Sequence, residues 1–154
     1  GLVTMPDHGW ATVTVPGAVA AWRDLHARFG RLPFARLFEP AIGYAERGFP
    51  VAAIAAYGWQ WAVLKHSAHS GPEFDLGRGV FAPGGRAPRA GEVWRSPDLA
   101  RCLHRVAETG GDALYRGDLA EALVTFAAQT GGFLRADDLA DHASLWVDPI
   151  HRAG

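Results

Sequence analysis

Nineteen glycines and ten prolines are spread through these 154 residues, and no other feature restricts the fold so strongly. Proline is excluded from helix interiors and glycine favours their ends, so the chain must break into short elements joined by turns. A coiled coil or a plain helix bundle is excluded. Apolar residues make up 49% of the chain, charged residues 20%, and the formal net charge is −1. That balance supplies a core and argues against a disordered tail or a strongly basic nucleic-acid binder. The most apolar stretch, Phe49 to Leu64, contains Pro50 and falls short of the ~20 residues a bilayer demands, so no membrane span is expected. The sequence opens on Gly1, its only methionine is Met5, and no leader pattern is visible. Residues 1–154 are read as a single partial domain with both ends cut from something longer.

Apolar periodicity sets the expected elements. Thr12 to Val15 alternate with period two, giving a strand over Ala11–Pro16. Val19, Trp22, Leu25 and Phe29 share one side of a helix from Ala18 to Phe29, with Gly30 as a left-handed cap. Pro40 splits the next stretch into Pro33–Phe38 and Pro40–Arg47. From Val51 to Lys65 two apolar stripes, one with Ile54, Tyr57, Trp61 and Leu64 and the other with Val51, Ala55, Trp59 and Ala62, predict a helix buried between neighbours. Ser67 to Trp94 reads as a long loop with a short strand near Gly79–Ala82. Pro97–Thr109 reads as a helix with Ser96 as N-cap and Leu99, Cys102, Leu103 and Val106 inward. Short helices over Asp112–Tyr115, Asp118–Gln129 and Ala136–His142 follow, and Ser144–Val147 could begin a strand. The fold class is a mainly α segment with short β-strands.

The residues alone offer little chemistry. Cys102 has no partner for a disulfide and reads as a small buried hydrophobe. His66 and His69 have a spacing that can share a metal, but zinc takes three or four ligands and no third lies near them in sequence. Pro83-Gly84-Gly85-Arg86 lacks the lysine, hydroxyl and helix entry of a phosphate loop and reads as a turn. Asp137, Asp138 and Asp141 suit a solvated helix start. Six tryptophans without a basic groove read as packing residues. No Gly-x-Ser-x-Gly elbow occurs. No catalytic, substrate-binding or metal-ligating residue is assigned.

The order of the segments says more. Val15-Pro16-Gly17-Ala18-Val19-Ala20-Ala21-Trp22, Phe29-Gly30-Arg31-Leu32-Pro33, Leu37-Phe38-Glu39-Pro40-Ala41-Ile42 and Ala45-Glu46-Arg47-Gly48-Phe49-Pro50-Val51 follow one another. Then come Gly91-Glu92, Pro97-Asp98-Leu99-Ala100-Arg101, Gly111-Asp112-Ala113-Leu114-Tyr115-Arg116-Gly117, Gly131-Gly132, Asp138-Leu139-Ala140 and Pro149-Ile150. This series resembles the γ-glutamyltransferase (γ-glutamyltranspeptidase) family over about residues 10 to 152. Arg135 stands where that family usually has a threonine, and Trp59 to Ser70 does not carry the resemblance.

The resemblance implies the helical middle of a large subunit within an αββα N-terminal-nucleophile hydrolase fold. In such enzymes the precursor cuts itself, and the freed N-terminal threonine of the small subunit attacks an amide to form an acyl-enzyme that passes to water or an amine. Thr4, Thr12, Thr14, Thr109, Thr125 and Thr130 all lack the Thr-Thr-His-like context, so the nucleophile is expected outside this chain. So are the arginine that grips the substrate carboxylate, upstream, and the oxyanion-hole residues, downstream. The chain alone is expected to be inactive. Its partner would be the rest of the same precursor, its substrate a γ-glutamyl amide such as glutathione, with no cofactor and with a periplasmic or secreted setting. Two alternatives accompany this reading: a cephalosporin acylase-like amidase, and a non-catalytic helical binding or interaction module.

Overall fold

The computed structural model describes residues 4–150, and its core is assembled from helices that the glycines and prolines delimit. Helix α1 (Ala18–Phe29) carries Val19 and Ala20 inward, and α2 (Glu39–Arg47), with Pro40 in its first turn, carries Ile42 and Ala45. α3 (Ala53–Ser67) and α4 (Pro72–Phe81) follow. Then come α5 (Pro97–Thr109), α6 (Asp112–Arg116), α7 (Asp118–Thr130) and α8 (Ala136–Ala140). β1 (Phe49–Pro50) and β2 (Val93–Trp94) pair antiparallel, Phe49 opposite Trp94 and Pro50 opposite Val93. The ladder continues beside them through Val51 N–H to the Glu92 carbonyl at 2.9 Å.

Val19, Ala20, Phe38, Ile42, Val106 and Tyr115 form the central cluster, with Leu103, Ala107, Leu114 and Leu119 packed around it. Tyr115 joins three segments at once. Its hydroxyl donates to the Pro16 carbonyl at 2.8 Å and accepts the Ala20 N–H at 2.8 Å. A helix leaves its first N–H groups without intrahelical partners, and Gly17 has no side chain to cap them, so a buried phenol from α6 takes that role for α1. Gly110 and Gly111 both lie at positive φ, 61° and 94°, and a Cβ on Gly111 would come within 2.9 Å of Val19 Cγ1. Only glycine meets both demands where α5 turns into α6. Arg105 of α5 holds both carboxylate oxygens of Asp118 in α7 at 3.0 Å, which keeps that carboxyl below the usual carboxylate range.

Several expectations are corrected. Residues 11–16 form no strand: Trp10–Thr12 is a 3-10 turn and the β-branched run beyond it has no neighbouring strand to share hydrogen bonds. Residues 144–147 lack a ladder for the same reason. Gly30 is not left-handed but extended, φ −69° and ψ 143°, because the chain runs straight on toward Pro33. Its glycine is needed for another reason: the His26 ring fills the space a Cβ would take. The strand expected near Gly79–Ala82 is the end of α4, a helix inside the presumed loop, with Pro72 at its start, Glu73 and Asp75 in its first turn and Arg78 in its last. Those are ordinary start and stop signals; Gly77 and Gly79 concealed them. Ser96 precedes α5, but its side chain makes no cap, while its N–H donates to the Ala45 carbonyl at 2.9 Å. α8 stops at Ala140, short of His142.

α3 is the largest departure. Ile54, Tyr57, Trp61 and Leu64 are exposed, Ile54 at 88%, and Ala56 is the only buried residue of the helix. The second stripe is covered only in part: Ala55, Trp59 and Ala62 face α4 across an open groove, where Trp59 is half-buried and the two alanines stay exposed. α5 is also rotated from its expected orientation, with Ala100, Leu103, Val106 and Ala107 turned to the core and Cys102 exposed. The small Ala100, 2% exposed, lets α2 lie close.

Candidate functional site

Helices α3 and α4 form a hairpin whose facing sides are rich in alanine, glycine and aromatic residues, and this leaves a groove of about 700 Å³ between them. Trp59 forms one wall, fixed by its indole N–H donating to the Phe81 carbonyl at 2.7 Å and by an edge contact with Trp94, ring centres 5.1 Å apart. His66, Ser67, Glu73 and Arg78 contribute the polar groups of the lining. Arg78 ties the turn between the helices, donating to the His69 carbonyl at 2.7 Å while pairing with Asp75.

Beside this groove the structure gathers three imidazoles. His66 is in the last turn of α3, His69 lies just past its end, and His8 arrives from the N-terminal segment. The three can each offer a ring nitrogen, and these atoms lie within 4.8 Å of one another. The His8 and His69 rings are 4.2 Å apart between centres, and those of His8 and His66 are 5.2 Å apart. Phe74 of α4 stacks on His69 at 5.4 Å. Partial desolvation, followed by the neighbouring His69, Lys65 and His66, holds the His8 pKa below its ordinary value, with Asp7 opposing. Such a ring favours the neutral form that a metal can use. The His66–His69 pair therefore has the third imidazole that its sequence neighbourhood lacks. A separation of 58 residues between His8 and His66 leaves no spacing signal by which sequence reasoning could find it.

The other residues weighed in sequence are accounted for by local structure. Pro83–Gly85 is a 3-10 turn, and Arg86 beyond it is engaged by both oxygens of Glu92, at 2.9 and 3.0 Å. The Asp138 carboxylate accepts the Arg135 N–H at 2.8 Å at the start of α8. Thr109 Oγ1 donates to the Arg105 carbonyl at 2.7 Å and accepts the Ala113 N–H at 3.0 Å. Thr130 Oγ1 donates to the Phe126 carbonyl at 2.7 Å and accepts the Trp10 indole N–H at 2.9 Å. These two hydroxyls hold backbone and indole in place.

A fold of short helices with one two-stranded ladder, and a surface open along α3, match part of the αββα N-terminal-nucleophile hydrolase fold of the solved structures to which the chain is similar. The Gamma-glutamyltranspeptidase family model matches residues 1–153, and the chain belongs to that family. It is 38% identical over 136 residues to the glutathione hydrolase proenzyme of Pseudomonas aeruginosa, covering 88% of this chain and 23% of that protein. Against the oxamate amidohydrolase proenzyme of Klebsiella pneumoniae it is 38% identical over 154 residues, covering 95% of this chain and 28% of that one. Among solved structures it is similar to the cephalosporin acylase from Bacillus halodurans, with a TM-score of 0.91 and 42% identity over 94% of this chain and 27% of that one. The chain thus spans only 23% to 28% of the length of these relatives.

Proposed function

We propose that these residues are the helical part of the large subunit of a self-processing amidase, and that the whole protein cleaves an acyl amide in the manner of a cephalosporin acylase. A threonine hydroxyl freed at a new chain start adds to the amide carbonyl, the amine leaves with a proton, and water then releases the acyl group as a carboxylic acid. In this reading the threonine, the carboxylate-gripping arginine and the oxyanion-hole residues belong to the remainder of the precursor. The present helices carry no reacting atom and position the elements that do. The same segment order suggests a periplasmic or secreted setting.

The observation that carries the choice of acyl amide is the similarity to the Bacillus halodurans cephalosporin acylase across nearly the whole chain. Similarity to the Pseudomonas aeruginosa glutathione hydrolase favours a second reading, a γ-glutamyl amide substrate. Purified full-length protein carrying these residues should be assayed on an N-acylated cephalosporin and on a γ-glutamyl anilide. A higher kcat/KM on the first is the expected result. Preference for the second substrate would establish the alternative specificity, and turnover of neither would leave the helical interaction module.

A further inference from the structure

We propose that His8, His66 and His69 form a transition-metal site, selective for zinc-like ions, that clips the N-terminal segment onto the end of the α3–α4 hairpin. The geometry carries the inference. Zinc bound tetrahedrally by imidazoles at 2.0–2.1 Å sets its nitrogens roughly 3.4 Å apart. Here three ring nitrogens already lie within 4.8 Å of one another, so side-chain rotations of about an ångström or two complete the triangle. His66, in the last turn of α3, and His69, just past its end, provide a pair three residues apart. His8 comes from a segment that is otherwise anchored by Trp10, whose indole packs on Phe126 of α7 and bonds Thr130.

His69 is oriented twice, by Phe74 stacked on its ring and by Arg78 holding its carbonyl. Both contacts restrict the places the imidazole can occupy, which lessens the ordering needed to bind an ion. Imidazole ligands select zinc, copper, nickel or cobalt over magnesium or calcium, which prefer oxygen. Three protein ligands leave a fourth position for water or for a donor atom of a molecule in the neighbouring groove, which His66 also lines. Because the site joins chain positions 58 residues apart, metal binding would fix the N-terminal segment against the hairpin and close a long loop. The site is independent of the amidase reading and requires none of that chemistry.

The test uses Zn²⁺ alone, titrated by calorimetry into metal-free full-length protein carrying these residues, with Co²⁺ absorption as a second readout. His8→Ala and His69→Ala test the ligands, and His104→Gln is the control, since His104 sits apart from the cluster beside Glu46. Circular dichroism checks that each variant retains its helices, and His66→Gln, at an exposed position, serves if His69→Ala does not. One zinc per chain is expected, weakened at least tenfold by loss of His8 or His69 and unchanged by His104→Gln, together with the intense visible bands of four-coordinate cobalt. Absence of a one-to-one site, or a site that His8→Ala leaves within tenfold of the parent affinity, overturns the proposal.

Discussion

At the scale of single residues, Tyr115 illustrates how one polar atom can decide a local structure. The residue is 2% exposed, and its hydroxyl serves both the Pro16 carbonyl ahead of α1 and an amide of the first turn of that helix. Replacing it with phenylalanine keeps the ring and removes both bonds. The Ala20 N–H is then left buried without a partner, a loss of about 1–3 kcal/mol. For Tyr115→Phe, hydrogen exchange at the Ala20 amide should accelerate by roughly tenfold to a hundredfold, while amides of α7 remain close to the parent. Uniform acceleration throughout the chain, or none at Ala20, would contradict this role. His142 stacks on the same ring, centres 5.6 Å apart, so the segment after α8 also depends on this position.

At the scale of elements, helix ends explain most of what the chain does. α5 and α7 finish at Gly110 and Gly131, both in the left-handed region, as their position after the last apolar residue requires. α8 is less complete. Asp138 accepts the Arg135 N–H, which is one half of a capping box, but a guanidinium has no acceptor with which to return a bond to the helix. Arg135→Thr supplies that acceptor. The substitution should stabilise α8 by about 1 kcal/mol, read as slower exchange of the Asp137 and Asp138 amides; no change would mean that the turn is held by its contacts with α6 and α7 alone. α4 offers the opposite lesson, since it forms despite Gly77 and Gly79. A proline and two acidic residues at its start and an arginine in its last turn were present in the sequence, and weighting them above the glycines would have identified it.

At the scale of the whole molecule, the dominant fact is the apolar surface along α3. Ile54, Tyr57, Trp61 and Leu64 make one continuous stripe that no described residue covers, and contiguous apolar patches of this kind mark surfaces that meet other protein. The 154-residue chain expressed alone should therefore bind a hydrophobic dye and self-associate, as measured by dye fluorescence and light scattering. A monomer with a sharp unfolding transition and no dye binding would show that α3 needs no further cover. Local sequence was sufficient to identify α1, α2, α5 and α7, though not the conformation of Gly30 after α1, because apolar spacing acts within a few residues. The order of the short segments was likewise enough to reveal the family. Three things needed the assembled fold: which side of α5 faces inward, which stripe of α3 finds a neighbour, and that His8 lies beside His66 and His69. Each depends on contacts between residues far apart in the chain. Periodicity reports that a helix has an apolar side, and only packing determines what that side meets.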